Sequence, residues 1–223
     1  MMFSKQSLEE QAVEYLREKI LSGSYPTGEK LVESNLAKDL ELSRTTIRMA
    51  LNTLANEGLV IQKPYAGWRV ASFTEHDLWE IYHLRVALES QAAEMLAEQI
   101  TEEKSSQLKS FFEKYTHLCK TQPDNLEEIC MHDLKLHQLI VSLTGSQRLI
   151  RIYNSVLNQL LIFIRMTHLD FDAKESANTH IELIKAICEG NTHLAGKLAK
   201  ENVTIFTGLG KKLRLNMDPC GLD

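Results

Sequence analysis

No stretch of this chain approaches the roughly eighteen consecutive apolar residues that a membrane helix needs. The densest run, Leu160 to Ile164, is five residues long and lies between Gln159 and Arg165, as the core of a buried helix would. Cysteine is scarce and scattered: the four residues Cys119, Cys130, Cys188 and Cys220 show no CxxC or other ligand-like spacing. They read as free thiols in a reducing compartment rather than as a disulfide framework or a zinc ligand set. The opening MMFSKQSLEEQ lacks the apolar core of a secretory leader, so a cytoplasmic location with no membrane partner is expected. Internal repeats and low-complexity segments are also missing. Basic charge is in deficit, with 25 Lys+Arg against 30 Asp+Glu and a net charge of −5, which taken whole argues against a nucleic-acid binder. What remains is a globular chain of 223 residues, 43% apolar, long enough for two modest domains or one large one.

Divided by region, the charge reads differently. Residues 1–73 carry 9 basic and 9 acidic side chains, so the whole acidic excess belongs to the remainder. Between Leu42 and Val70 the basic residues Arg44, Arg48, Lys63 and Arg69 face the single acid Glu57, a local balance suited to phosphate contact. The same stretch carries the clearest pattern in the chain. Ile47, Ala50, Leu51 and Leu54 recur at i, i+3, i+4 and i+7, which gives a helix one apolar face to pack and leaves Arg44, Thr45 and Arg48 outside. Ser43 stands where its hydroxyl can cap that helix, and Gly58 where a helix stops. A shorter helix over Glu33 to Leu40 precedes it. Leu59 to Gln62 and Trp68 to Ser72 then form a hairpin with Lys63 and Gly67 at its tip, where glycine permits close approach and lysine adds charge. The layout is that of a winged helix-turn-helix. Arginines grip guanine edges in pairs of bonds, and hydroxyls reach phosphates or bases. Two arginines alone would more often be an ordinary solvated face.

The order of residues around them decides between those readings. Leu36-Ala37, Ser43-Arg44-Thr45-Thr46-Ile47-Arg48, Ala50-Leu51, Leu54, Glu57-Gly58-Leu59-Val60 and Gly67 before Val70 resembles the DNA-binding domain of the GntR family of bacterial transcription regulators. The resemblance covers about the first third of the chain. It implies DNA contacts at Ser34, Ser43, Arg44, Thr45, Thr46 and Arg48, with Lys63 and Gly67 on the wing. Glu41 departs from the family, which usually turns on Gly between the two helices.

From Thr74 onward every segment has helical period, and no convincing strand appears. Thr74 and Asp77 make an S/T-x-x-D helix start. Helices are expected at roughly 75–99, 102–119, 125–143, 146–167, 175–189 and 191–214, with loops at Pro123-Asp124, Gly145, the acidic 169–175 and Gly190. Within them, Asp133 and His137 stand four apart on one helix face and can bite one metal ion, although such a couple is more often hydrogen-bonded or solvated. His180 heads the fifth helix of this set. Arg85, in IYHLRVALESQ, would be expensive inside a bundle unless it met an anion; a carboxylate ligand and a salt bridge to Glu89 one turn on both satisfy it.

The order of Arg85, then D-x-x-x-H, then a histidine heading the fifth helix resembles the FCD ligand-binding domain of the FadR branch of GntR regulators, over most of residues 75–214. In that family three histidines and an aspartate commonly hold a divalent ion. Asp133, His137 and His180 match three of those ligands, and the last falls on Asn202, a neutral and weaker donor. The resemblance implies zinc, nickel or manganese as a possible cofactor. It also implies a small carboxylate effector held by Arg85.

The expected protein is thus mainly α, with a winged helix-turn-helix over 1–73, an all-α, six-helix antiparallel bundle over 74–215 and a loose tail over 216–223. It would act as a homodimer reading a palindromic DNA operator under control of an organic acid. The competing readings are a metal-dependent enzyme tethered to DNA and an effector-free DNA-binding dimer.

Overall fold

A computed structural model describes residues 7–72, 74–167 and 176–205. The expected loop at 169–175, the end of the last helix beyond 205, Cys220 and the tail 216–223 lie outside the described residues. The chain divides into two compact units, residues 1–74 with 155–159, and residues 75–154 with 160–223.

The first unit begins with α1, Leu8–Leu21, whose N-terminus is closed by a reciprocal cap between Ser7 and Glu10. Its apolar stripe of Ala12, Val13, Leu16 and Ile20 is buried and packs on α3. Arg17 reinforces that contact: its Nε and Nη2 donate to the two carboxylate oxygens of Glu57 at 2.9 and 2.6 Å, and it also pairs with Glu14. Two short helices follow, α2 at Glu33–Asp39 and α3 at Arg44–Asn56. Between them Glu41 takes a φ of +55°, the left-handed backbone in which a side chain is strained and glycine is not. The departure noted at this position therefore falls on a residue whose backbone conformation favours Gly. At the far end of α3, Gly58 adopts a φ of +71° just beyond the helix, as a left-handed C-terminal stop does.

A three-stranded antiparallel sheet in the order β1-β3-β2 completes this unit, from β1 at Lys30–Leu31, β2 at Val60–Lys63 and β3 at Gly67–Val70. Lys63 pairs with Gly67, so these two residues close the hairpin rather than form its tip. The tip is Pro64, Tyr65 and Ala66, with Tyr65 fully exposed at a φ of +61°.

The second unit contains α4 at Glu75–Glu98, α5 at Glu102–Thr121, α6 at Leu126–Leu143, α7 at Gln147–Thr167, α8 at Ile181–Cys188 and α9 at Thr192–Ile205. Caps at Thr101 and Asn125 start α5 and α6. The expected single helix over 175–189 is instead a 3-10 turn at Asn178–His180 leading into α8. There His180 Nδ1 and the Thr179 hydroxyl both bond to the Ser176 carbonyl, and such local bonds compete with helical geometry. The long α4 packs against α6, α8 and α9, and Tyr82 reaches Thr204 of α9 at 3.0 Å. Leu96, Leu108, Leu136, Ile187 and Val203 are fully buried in its core. Among the described residues no helix is long and apolar enough to cross a membrane, and Cys119, Cys130 and Cys188 are free thiols.

Candidate functional site

Each unit carries one constellation, and each is built by local sequence. In the first, Ser43 caps α3: its Oγ accepts the Thr46 N–H at 3.0 Å and lies 2.8 Å from the Thr46 hydroxyl. The buried face of Ile47, Ala50, Leu51 and Leu54 turns Arg44, Thr45 and Arg48 to solvent. Arg44 makes no hydrogen bond or ion pair that would hold it among the described residues, whereas Arg48 is held. Its Nε and Nη2 donate to the two oxygens of Glu33 at 2.9 and 2.8 Å, and Trp68 Nε1 donates to the same carboxylate at 3.0 Å. These bonds, Arg48's first, keep the Glu33 carboxyl below its usual range against a smaller opposing effect of burial. The network ties α2, α3 and the wing strand together, and the sequence reading of Arg48 as a free base reader did not include it. Ser34 is exposed at the start of α2, and Lys63 is exposed on the wing beside the half-buried Gly67.

In the second unit Arg85 and Glu89 of α4, Asp133 and His137 of α6, and His180 before α8 are brought together, all essentially buried. Arg85 Nε donates to Glu89 Oε1 at 2.8 Å, and its Nη2 lies 3.5 Å from Asp133 Oδ2. The intramolecular bridge to Glu89 is therefore formed, while Nη1 has no hydrogen-bond partner among the described residues. Glu89 is shared three ways, since Tyr153 donates to Oε1 at 2.9 Å and His137 Nδ1 lies 2.8 Å from Oε2. Tyr115 reaches Asp133 Oδ1 at 3.3 Å and Ser176 Oγ at 2.6 Å. Burial alone would raise both carboxyls, but Arg85 and the imidazoles outweigh it, holding Glu89 at about 2 and Asp133 far below the carboxylate range. Burial pushes both tyrosines well up, so they act as proton donors.

The histidine rings are oriented by their outer partners. A carbonyl can only accept, so His180 Nδ1–H donates to the Ser176 carbonyl at 3.0 Å, while the outer nitrogen of His137 faces the Glu89 carboxylate at 2.8 Å. Each ring then turns its Nε2 inward. These two nitrogens are 3.1 Å apart, with Asp133 Oδ1 3.2 Å from His180 Nε2 and Oδ2 3.9 Å from His137 Nε2. Ligand atoms converging this way suit a shared cation. One donor atom from each of Asp133, His137 and His180 lies within 4.8 Å of the others. Asn202 on α9 is buried, and its Nδ2 donates to the Thr179 hydroxyl at 3.0 Å and carbonyl at 3.3 Å. Its Oδ1 has no hydrogen-bond partner among the described residues.

Sequence reasoning weighed Glu89 only as a partner for Arg85, and the one-turn spacing was its signal. Tyr115, Tyr153 and Glu33 had none, because their partners are distant in the chain. Tyr65 could have been found as the middle of the five-residue hairpin turn.

Comparison with known proteins places both units. The model of the FCD domain matches residues 80–204, and that of the gntR family of bacterial regulatory proteins matches residues 8–70. The chain belongs to the GntR family and carries an FCD domain. It is 28% identical over 188 residues to the uncharacterized HTH-type transcriptional regulator YdhC of Bacillus subtilis, covering 84% of this chain and 82% of that one. It is also 28% identical over 207 residues to the gluconate operon transcriptional repressor of Bacillus licheniformis, covering 90% and 84%. Among solved structures, a GntR regulator from Rhodococcus sp. RHA1 superposes with a TM-score of 0.68 at 23% identity, covering 93% of this chain and 98% of the other, and shows the same fold. This GntR protein is a ligand-responsive, DNA-binding transcription regulator, and the relatives named above are transcription regulators.

Proposed function

We propose that α3 reads a palindromic operator as one half of a homodimer in the cytoplasm, and that the buried cluster of the FCD domain receives a divalent ion and a small carboxylate. For the first part, support comes from a capped helix N-terminus that exposes Arg44 and Thr45 beside Arg48, with Ser34, Ser43, Thr46, Lys63 and Gly67 suited to the phosphates. Arg48 exchanges its Glu33 partner for DNA or shares it. Replacing Arg44 or Arg48 with Ala should relax base preference and weaken operator binding by about 1–3 kcal/mol for each guanine lost. Unchanged specific affinity in both variants, measured by titration against a selected operator, would sink this assignment.

For the second part, the carrying observation is the convergence of ligand atoms of Asp133, His137 and His180 within 4.8 Å of one another, with Glu89 and the Ser176 carbonyl at the outer ring nitrogens. Outer partners of this kind orient metal-binding imidazoles. Asp133, His137 and His180 would hold the ion, with Asn202 Oδ1 as the available neutral oxygen. Two imidazoles and a carboxylate suit zinc, nickel or manganese and leave coordination positions open. Arg85, Glu89 and Asp133 together carry one net negative charge. A divalent ion reverses that sign, and it would supply the positive charge that draws in a carboxylate beside Arg85. Binding there would bias the spacing of the two reading helices.

The effector-free reading finds support in Asn202, whose amide is committed to Thr179. Metal content of the protein purified without added metal or chelator, beside the His137→Ala, His180→Ala double variant, separates the two. Near-stoichiometric metal that is lost in the variant supports the ion-bound centre. No metal in either, with the fold intact, removes the ion and leaves Arg85 as the anchor for an organic effector.

A further inference from the structure

α3 sends four apolar side chains one way: Ile47, Ala50, Leu51 and Leu54 are wholly buried. At about 100° per residue, Thr45, Met49 and Asn52 lie within about 30° of the opposite direction. Thr45 and Asn52 are ordinary at such a place. Met49 is a large apolar side chain and is 47% exposed.

The polar groups around Met49 are largely committed. Arg48 is gripped by Glu33 through two bonds, Asn52 spends an amide N–H on the Arg48 carbonyl at 2.9 Å, and the Thr46 hydroxyl is engaged with Ser43. The outward surface of α3 therefore offers the Arg44 guanidinium, the Thr45 hydroxyl and the Met49 thioether, joined by Arg48 where it leaves or shares Glu33. In the major groove the thymine C5-methyl is the apolar feature among donors and acceptors. A flexible, polarisable methionine arm fits such a feature, and offers nothing to the donor or acceptor edges of the other bases.

We propose that Met49 is a specificity-determining residue that packs on the C5-methyl of a thymine at one position in each half-site. The inference rests on α3 being the reading helix. Burying one methyl-sized group is worth about 0.8 kcal/mol, or about fourfold in affinity per half-site.

The test uses the full-length protein. Operators are selected from random duplexes, and each thymine is then replaced in turn by deoxyuridine, which lacks the C5-methyl and keeps every hydrogen-bonding group. The expected result is one position per half-site at which deoxyuridine weakens wild-type binding about fourfold, with Met49→Ala binding the thymine and deoxyuridine operators equally. A flat deoxyuridine scan, or a Met49→Ala variant that still distinguishes the two, overturns the proposal. Arg44→Ala separates this failure from that of the underlying reading. If Arg44→Ala relaxes the selected sequence while the scan is flat, Met49 alone has been misassigned. If Arg44→Ala and Met49→Ala both select the wild-type sequence, α3 does not read DNA.

Discussion

Replacing Glu89 with glutamine keeps the side chain's shape and removes the charge on which three buried partners depend. Arg85, His137 and Tyr153 all converge on its carboxylate. A carboxyl that moves from 4.5 in the unfolded chain to about 2 in the folded one contributes about 3 kcal/mol of stability at neutral pH. Because the folded value is the lower one, that contribution is complete above about pH 5. It fades as pH falls through 4.5 towards 2, with about 2 kcal/mol gone by pH 3. Urea unfolding of the chelator-treated protein, followed by circular dichroism between pH 7 and pH 3, reads both effects. Glu89→Gln should be about 3 kcal/mol less stable than wild type at pH 7. The gap should narrow towards pH 3, leaving the slope due to Asp133 and the exposed acids. A constant gap across that range, or a variant as stable as wild type at pH 7, would refute the claim that the ionised Glu89 holds this cluster together.

The remaining predictions concern the first unit. Glu41→Gly should raise the urea midpoint, by up to about 1 kcal/mol in stability, since relief of a left-handed side chain exceeds the entropy that glycine adds to the unfolded chain; a lower midpoint would contradict the strain assigned to Glu41. Ser43→Ala should cost about 1 kcal/mol of stability through loss of the α3 cap, and should weaken operator binding as well; unchanged thermal unfolding and unchanged affinity would deny the cap its role.

Much of the site was legible because short-range rules build it. The spacing of Ile47, Ala50, Leu51 and Leu54 settles which side of α3 faces water, and therefore where Arg44 and Thr45 point. A spacing of four from Asp133 to His137 puts them on one face of a single helix before any packing is known. The same logic missed the loop geometry before α8, where Ser176 and Thr179 draw bonds away from the helix and set His180 in a 3-10 turn. It also placed Lys63 and Gly67 one position too far out, since hairpin register depends on which residues pair across the turn, and that pairing makes Tyr65 the tip.

What the sequence alone determined, then, are features with one-turn or one-strand reach: helix faces, caps, the stop at Gly58 and the order of Arg85, Asp133, His137 and His180 along the bundle. Whether those four residues work together was decided only by tertiary structure. Packing of α4 against α6 sets Glu89 behind His137, and packing of α5 against α6 sets Tyr115 against Asp133. The physical reason is that an imidazole is oriented by the partner of its outer ring nitrogen, and that partner lies on another element in the case of His137. The same holds for Arg48, whose availability depends on Glu33 fifteen residues away. Side-chain chemistry is written in the chain; the partner that directs it is supplied by the fold.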